Sequence, residues 1–263
     1  MPDLDARGKI AAAELAFYVP IAIVSLLLVI RYAFRRDSGW FFLLWFALVR
    51  VTAGALLIAA ELVTPYDEGV WTAAWVLNDA GLGFLLLSTI GFLGLAGQHT
   101  YSEMIRTMHM YRSLALVILA AMAITAAGGG VQAHADQDTI RTGKILRRVG
   151  AVLFGLIWGL LAMLHVHAMR SHHLMRTYRK RLLFTLWVAL PVLGIRVAFS
   201  ILNAFGSADV FGYQLSPNAT LRPFAYTQDW VRWLVMGLVM EYAVVLIYLV
   251  SSTGVSRRNR LGY

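Results

Sequence analysis

Four charged residues stand inside long apolar runs: Arg50, Asp79, Arg196 and Glu241. An Arg or Asp at the centre of a bilayer costs about 2.5–3.5 kcal/mol on insertion scales. Such residues face a bundle interior, pair with one another, and mark sites that bind or transform something. Asn78 beside Asp79, and Asn203 two turns beyond Arg196, add neutral hydrogen-bonding capacity. Counted from the ends of their apolar runs, Arg50 and Asp79 reach similar depth, as do Arg196 and Glu241. The expected pairs are Arg50–Asp79 and Arg196–Glu241, or one shared network; they either tie helices together or line a polar midplane cavity. Glu61, Asp229 and Arg232 fall nearer one surface.

Two kinds of chemistry fit these residues. A charged midplane with polar and aromatic neighbours could hold an amphipathic molecule; the candidate binding residues are Arg50, Asn78, Asp79, Arg196, Asn203, Glu241, Tyr242, Trp75 and Trp233. Alternatively, buried acids could protonate an alkene or epoxide while aromatic rings stabilise the developing cation. Asp79, Glu241 and Glu61 are then the candidate catalytic acids. Trp71, Trp75, Trp230, Trp233 and Tyr226 cluster toward one half of the chain's spans, as an interfacial belt or as the wall of that cavity.

His165, His167, His172 and His173 gather near the end of one run, where they read as interfacial histidines among arginines rather than metal ligands. There is no cysteine, which excludes thiolate chemistry and zinc–thiolate sites. A Gly-x-x-x-x-Gly-Lys phosphate loop, a nucleophile elbow and a lysine in the last span are also missing. No metal and no cofactor are expected.

The elements that must position these residues follow from hydropathy. A spanning helix needs about 20 mostly apolar residues. Seven stretches qualify, at about 15–32, 40–63, 70–96, 113–133, 149–169, 182–205 and 230–250. The fold class is therefore all-α, a polytopic bundle of seven transmembrane helices forming a single domain over 1–263. Composition agrees: 59% of the residues are hydrophobic and 14% charged, against about 25% charged in a soluble domain.

Seven spans put the termini on opposite sides. The connections on the C-terminal side carry 13 basic residues and those on the N-terminal side carry 7. That excess predicts a cytoplasmic C-terminus and an outside or luminal N-terminus, in the endoplasmic reticulum or plasma membrane. The connection with Arg141, Lys144, Arg147 and Arg148 is the least consistent with it. The turn Pro65-Tyr66-Asp67-Glu68-Gly69 and the sequon Asn218-Ala219-Thr220 fall on the predicted outer side. No cleavable signal peptide is expected. The net charge of +9 lies beside apolar runs, so anionic headgroups rather than nucleic acid are the expected partner.

The connection from 206 to 228, rich in Pro and aromatics, suits either a folded lid or a solvated loop. Gly128-Gly129-Gly130 marks a helix break or a close-packing point. Val49-Arg50-Val51 and Ile195-Arg196-Val197, each followed by a helix with a central acid, suggest a faint repeat of helices one to three in five to seven.

The segments Leu48-Val49-Arg50, Leu190-Pro191-Val192-Leu193-Gly194-Ile195-Arg196 and Met240-Glu241-Tyr242 resemble those of a fungal family of uncharacterised seven-helix membrane proteins. The resemblance spans most of the chain and implies a fungal source but no activity. In architecture alone, the chain is also similar to lipid-translocating exporters and to small membrane terpene cyclases. Three functions stay open: binding or transport of a lipid-like molecule, an intramembrane cyclase or isomerase, and a seven-helix sensor.

Overall fold

The computed structural model describes residues 6–32, 38–62, 68–97, 105–132, 137–170, 175, 177–207, 214–226 and 228–260. It is all-α, with one isolated bridge, Ser207–Leu215, among the described residues. The helices are α1 (Ala6–Tyr32), α2 (Ser38–Leu62), α3 (Glu68–Ala96), α4 (Ile105–Val131), α5 (Gln137–Arg170) and α6 (Thr177–Gly206). The last helix, α7, runs through Trp230–Arg232, a π-helical Trp233–Val239 and Met240–Arg260. Among the described residues, seven helices are long and apolar enough to cross a membrane.

Several helices begin well before the apolar runs: α1 at Ala6, α4 at Ile105 and α5 at Gln137. Hydropathy marks the part of a helix that suits hydrocarbon; backbone hydrogen bonding carries the helix on through polar flanks. The extension matters because it brings Glu14 and Arg147 inside helices.

Each helix packs on the next in the chain, and α3 also packs on α6. In α3, 78% of the apolar window is buried, against 22% in α1, so α3 is the central helix. Small residues allow this: Ser88 Oγ donates to Gly39 O of α2 at 3.1 Å, and Thr89 Oγ1 lies 2.7 Å from the Tyr248 hydroxyl of α7. The outside is apolar. Leu27, Leu116, Leu156, Met163 and Phe184 are all at least 60% exposed. Water would penalise that exterior and lipid does not. This is a multi-pass integral membrane protein.

The glycine run is a close-packing point and not a break, for α4 continues to Val131. A Cβ on Gly128 would come within 2.7 Å of the Arg147 backbone nitrogen and 2.9 Å of Gly143 O. Gly143 faces Gly128 in turn, so α4 and α5 meet backbone to backbone. Pro191 does not end α6. Trp158 of α5 donates to Leu190 O at 3.0 Å and lies against Gly194, docking α5 on α6 at that level.

Candidate functional site

Five charged side chains share one layer of the bundle. Arg50, Asp79, Arg147, Arg196 and Glu241 each lie ten to twelve residues from the end of their helix on the N-terminal face. That is about 15–18 Å of helix rise, close to half the hydrocarbon thickness. Glu14, eight residues into α1, joins them.

Glu241 is the hub, fully buried at 0% exposure. Arg50 donates to both of its oxygens, Nε to Oε1 and Nη2 to Oε2. Arg196 Nε donates to Oε2 at 2.8 Å. Arg50 Nη1 donates to Asn78 Oδ1 and, at 3.3 Å, to Glu14 Oε1. A Cβ on residue 81 would sit 3.3 Å from Arg50 Nε, so Gly81 lets the guanidinium lie flat against α3. Tyr18, a turn beyond Glu14, stands edge-on to Phe46 and Tyr242, beside the same four charges.

Asp79 belongs to a second group. Its Oδ1 accepts from the Tyr226 hydroxyl at 2.6 Å, and its Oδ2 lies 3.6 Å from Arg147 Nε. Asn78 Nδ2 donates to the Tyr226 hydroxyl at 3.3 Å and joins the two groups. Tyr226 comes from the sixth connection, which is a folded lid over its described part. Ser216 N–H donates to Gly206 O at 2.9 Å, Arg222 Nε donates to Ser216 O at 2.8 Å, and Tyr226 N–H donates to Asn203 Oδ1 at 3.2 Å. The Tyr226 ring stacks on Trp75 at 4.5 Å, and Trp233 meets Trp75 edge-on at 5.8 Å. Burial, and then the nearby Asp79 carboxylate, hold the Tyr226 phenol above its ordinary pKa.

The expected Arg196–Glu241 pair forms, whereas the expected Arg50–Asp79 pair does not. Consecutive helix residues point about 100° apart. Asn78 faces Arg50, so Asp79 is turned away from it toward the lid and α5. Eight of the candidate residues meet in this cluster: Arg50, Asn78, Asp79, Arg196, Asn203, Glu241, Trp75 and Trp233. Glu61 shares the Arg50 face of α2 but lies three turns away, about 16 Å along the helix. Tyr242 packs on Phe17 and Tyr18.

Asp229 caps α7 at its start, its Oδ1 accepting from the N–H groups of Val231 and Arg232. Other expectations are corrected. His165 is buried rather than interfacial, with Nδ1 2.8 Å from Leu161 O of its own helix. His172 and His173 lie outside the described residues. Trp75 and Trp233 are buried in the cluster while Trp230 faces outward, so the aromatic set divides between cavity wall and belt. The cluster also contains Glu14 and Arg147, which sequence reasoning left among loop or flanking residues, and Tyr18, which lay within the first expected span but was not singled out. A heptad-like repeat of the α1 face through Glu14 and Tyr18 was the available signal.

The π segment explains how α7 presents both Trp233 and Glu241. Eight residues apart in a regular helix, they would diverge by about 80°. A π turn absorbs one extra residue, which brings the pair back onto one face. A separate groove of about 770 Å³ opens between α4 and α5, lined by residues such as Met110, Val117, Leu160 and Met163. It lies toward the C-terminal face and shares no residue with the cluster.

Fold and site together define a polytopic α-helical membrane protein with a buried, charge-balanced cluster at mid-membrane. The chain belongs to the family described as "Domain of unknown function (DUF7702)", whose model matches residues 4–259. A comparison with curated proteins finds no match.

Proposed function

We propose that this protein binds, and carries across its membrane, a lipid-like or amphipathic small molecule whose polar part is held in the midplane cluster. The observation that carries this is Glu241, wholly buried in mid-membrane and shared by guanidinium groups from two different helices. Buried ion pairs are poor sources of stability, because apolar residues of similar volume do as well or better. A bundle that needed only to hold together would have little use for four of them at one depth. The lid adds support: Tyr226 closes the N-terminal side of the cluster, as one gate of a carrier would. The N-terminal face is outside or luminal on this account, and the groups exchanged come from membrane lipid or its surroundings.

Acid catalysis by Asp79 or Glu241 on a hydrophobic substrate is less favoured. It needs a carboxyl group free to hold out a proton. Both oxygens of Glu241 are taken by guanidinium donors, and those of Asp79 by Tyr226 and Arg147.

The test is a metabolite comparison in yeast cells producing equal amounts of folded wild type, Glu241→Gln or Asp79→Asn. A change in the cell-to-medium ratio of an amphiphile, seen with wild type and lost in the variants, is expected. A new cyclised or isomerised product would replace the carrier with an enzyme. Identical profiles would leave the cluster a purely structural device.

A further inference from the structure

The charged cluster has unused donors, and their arrangement names a ligand class. Every guanidinium nitrogen of Arg50 donates within the cluster. Arg196 is 1% exposed and gives Nε to Glu241, yet its Nη1 has no hydrogen-bond partner. The Tyr18 hydroxyl, at 0% exposure, has none either. Tyr18 meets the rings of Phe46 and Tyr242 edge-on, and the Arg50 guanidinium lies 5.8 Å from the centre of the same Phe46 ring. A buried N–H or O–H left unmade costs about 1–3 kcal/mol. The oxygens of Glu241, by contrast, already accept from three guanidinium nitrogens. The spare capacity is therefore for an acceptor. A guanidinium edge suits an anionic oxygen best, since such bonds are charge-assisted and can be paired.

Charge balance sets a condition on that anion. Two guanidinium groups, Arg50 and Arg196, face two carboxyl groups, Glu14 and Glu241. An added anion would leave the low-dielectric centre with net negative charge. Three guanidinium nitrogens hold Glu241. Glu14 has one contact, at 3.3 Å, to a nitrogen it shares with Asn78. The charged and titratable groups facing it are Tyr18 on α1, Arg50 on α2, Arg196 on α6 and Glu241 on α7.

Building on the carrier function above, we propose that the ligand has a monoanionic head bound by Arg196 and Tyr18, and that it binds together with one proton taken up by Glu14. Proton and anion then enter as a neutral pair, which keeps the buried cluster balanced in both states. Loading is favoured at lower pH, where Glu14 more readily accepts its proton.

Decanesulfonate is the probe, because it stays ionised at pH 6 and pH 8; decanol and decyltrimethylammonium are matched neutral and cationic controls. Thermal unfolding of the full chain in dodecylmaltoside micelles, followed by tryptophan fluorescence, reads binding as a rise in Tm. The expected result is a rise with decanesulfonate alone. Its half-maximal concentration should be lower at pH 6 than at pH 8, by up to about tenfold for each unit that the pH falls. Arg196→Gln abolishes the rise. Glu14→Gln, which keeps shape and mimics the protonated acid, keeps the rise and removes its pH dependence. A pH-independent rise in wild type, or one unaffected by Glu14→Gln, overturns the coupling. If decanol or decyltrimethylammonium raises Tm as much as decanesulfonate does, and Glu241→Gln removes that rise, the carrier stands and the anionic head is wrong. If none of the three shifts Tm, both proposals fall.

Discussion

Arg50 and Glu241, 191 positions apart in the chain, meet edge to edge at the centre of the bundle, with two guanidinium nitrogens on two carboxylate oxygens. Removing one partner of such a pair strands a buried charge and costs about 3–5 kcal/mol. Arg50→Met and Glu241→Leu should each destabilise the protein by that order. The double variant keeps the neutral remainder Arg196–Glu14 and should lose far less than the two together. A double-mutant cycle on thermal stability measures the coupling; additive losses would mean that the two residues do not act as a unit. The double variant should also fail to exchange ligand while remaining folded.

Tyr226 supplies a pH signature. Its phenol is held above the ordinary value, so the folded state keeps the proton more tightly than the unfolded chain does. Stability from this group is complete below pH 10, the ordinary phenol value, and declines as pH rises above it. Tyr226→Phe loses the bond to Asp79, about 1.5–3 kcal/mol for a hydrogen bond to a charged group. Measured against wild type, that deficit should narrow between about pH 10 and 11.5. A constant deficit across that range would contradict the buried, carboxylate-facing phenol.

The π segment predicts an asymmetry between deletion and insertion. Deleting Val235, which faces outward, should let α7 relax to a regular helix with Trp233 and Glu241 still on one face. Inserting an alanine after Met236 should turn Glu241 about 100° away from Arg50 and Arg196. Thermal stability is expected to survive the deletion and to drop with the insertion by as much as in Glu241→Leu. Equal losses would refute the register argument.

Gly128 and Gly143 set the height of Arg147. Leucine at either position must push α4 from α5, since backbone atoms of the facing helix would lie within 2.9 Å of its Cβ. Overpacking of this kind costs about 1–3 kcal/mol. Gly128→Leu should therefore lower Tm and, by displacing Arg147 from Asp79, make Asp79→Asn nearly silent in that background. Full additivity of the two substitutions would dissociate the crossing from the site.

Orientation is open to a clean measurement because the chain has no cysteine. Asn218→Cys, in the lid, should react with a membrane-impermeant maleimide from the outside of sealed cells. Thr177→Cys, at the opposite end of α6, should react only after permeabilisation. The reverse pattern would invert the topology.

Much of this site is visible in the chain itself, for a reason specific to membranes. Arg50, Asp79, Arg196 and Glu241 interrupt apolar runs, and lipid makes any such interruption conspicuous. Glu14 and Arg147 are equally buried but sit near Arg7 and Lys9, or beside Lys144 and Arg148, where composition reads as a loop. Apart from the heptad-like face of α1, only the length of α1 and α5 reveals them. Partner choice was hidden too. Whether Asn78 or Asp79 meets Arg50 depends on the rotation of α3, and one residue of error amounts to about 100°. The inward aim of Glu241 depends on a π turn that no residue type announces.

The order in which the charges are synthesised gives the Glu14 contact another use. Arg50 must enter the bilayer long before Glu241 exists, but Glu14 lies only 36 positions ahead of it, on the preceding helix. An α1–α2 hairpin can thus insert as a neutral unit, with Glu14 as a provisional counterion until α7 arrives and takes over Arg50. A nascent chain ending after α2 should insert that helix less completely when it carries Glu14→Gln. Biogenesis, and not only the finished bundle, then depends on a carboxylate that the mature protein holds by a single bond.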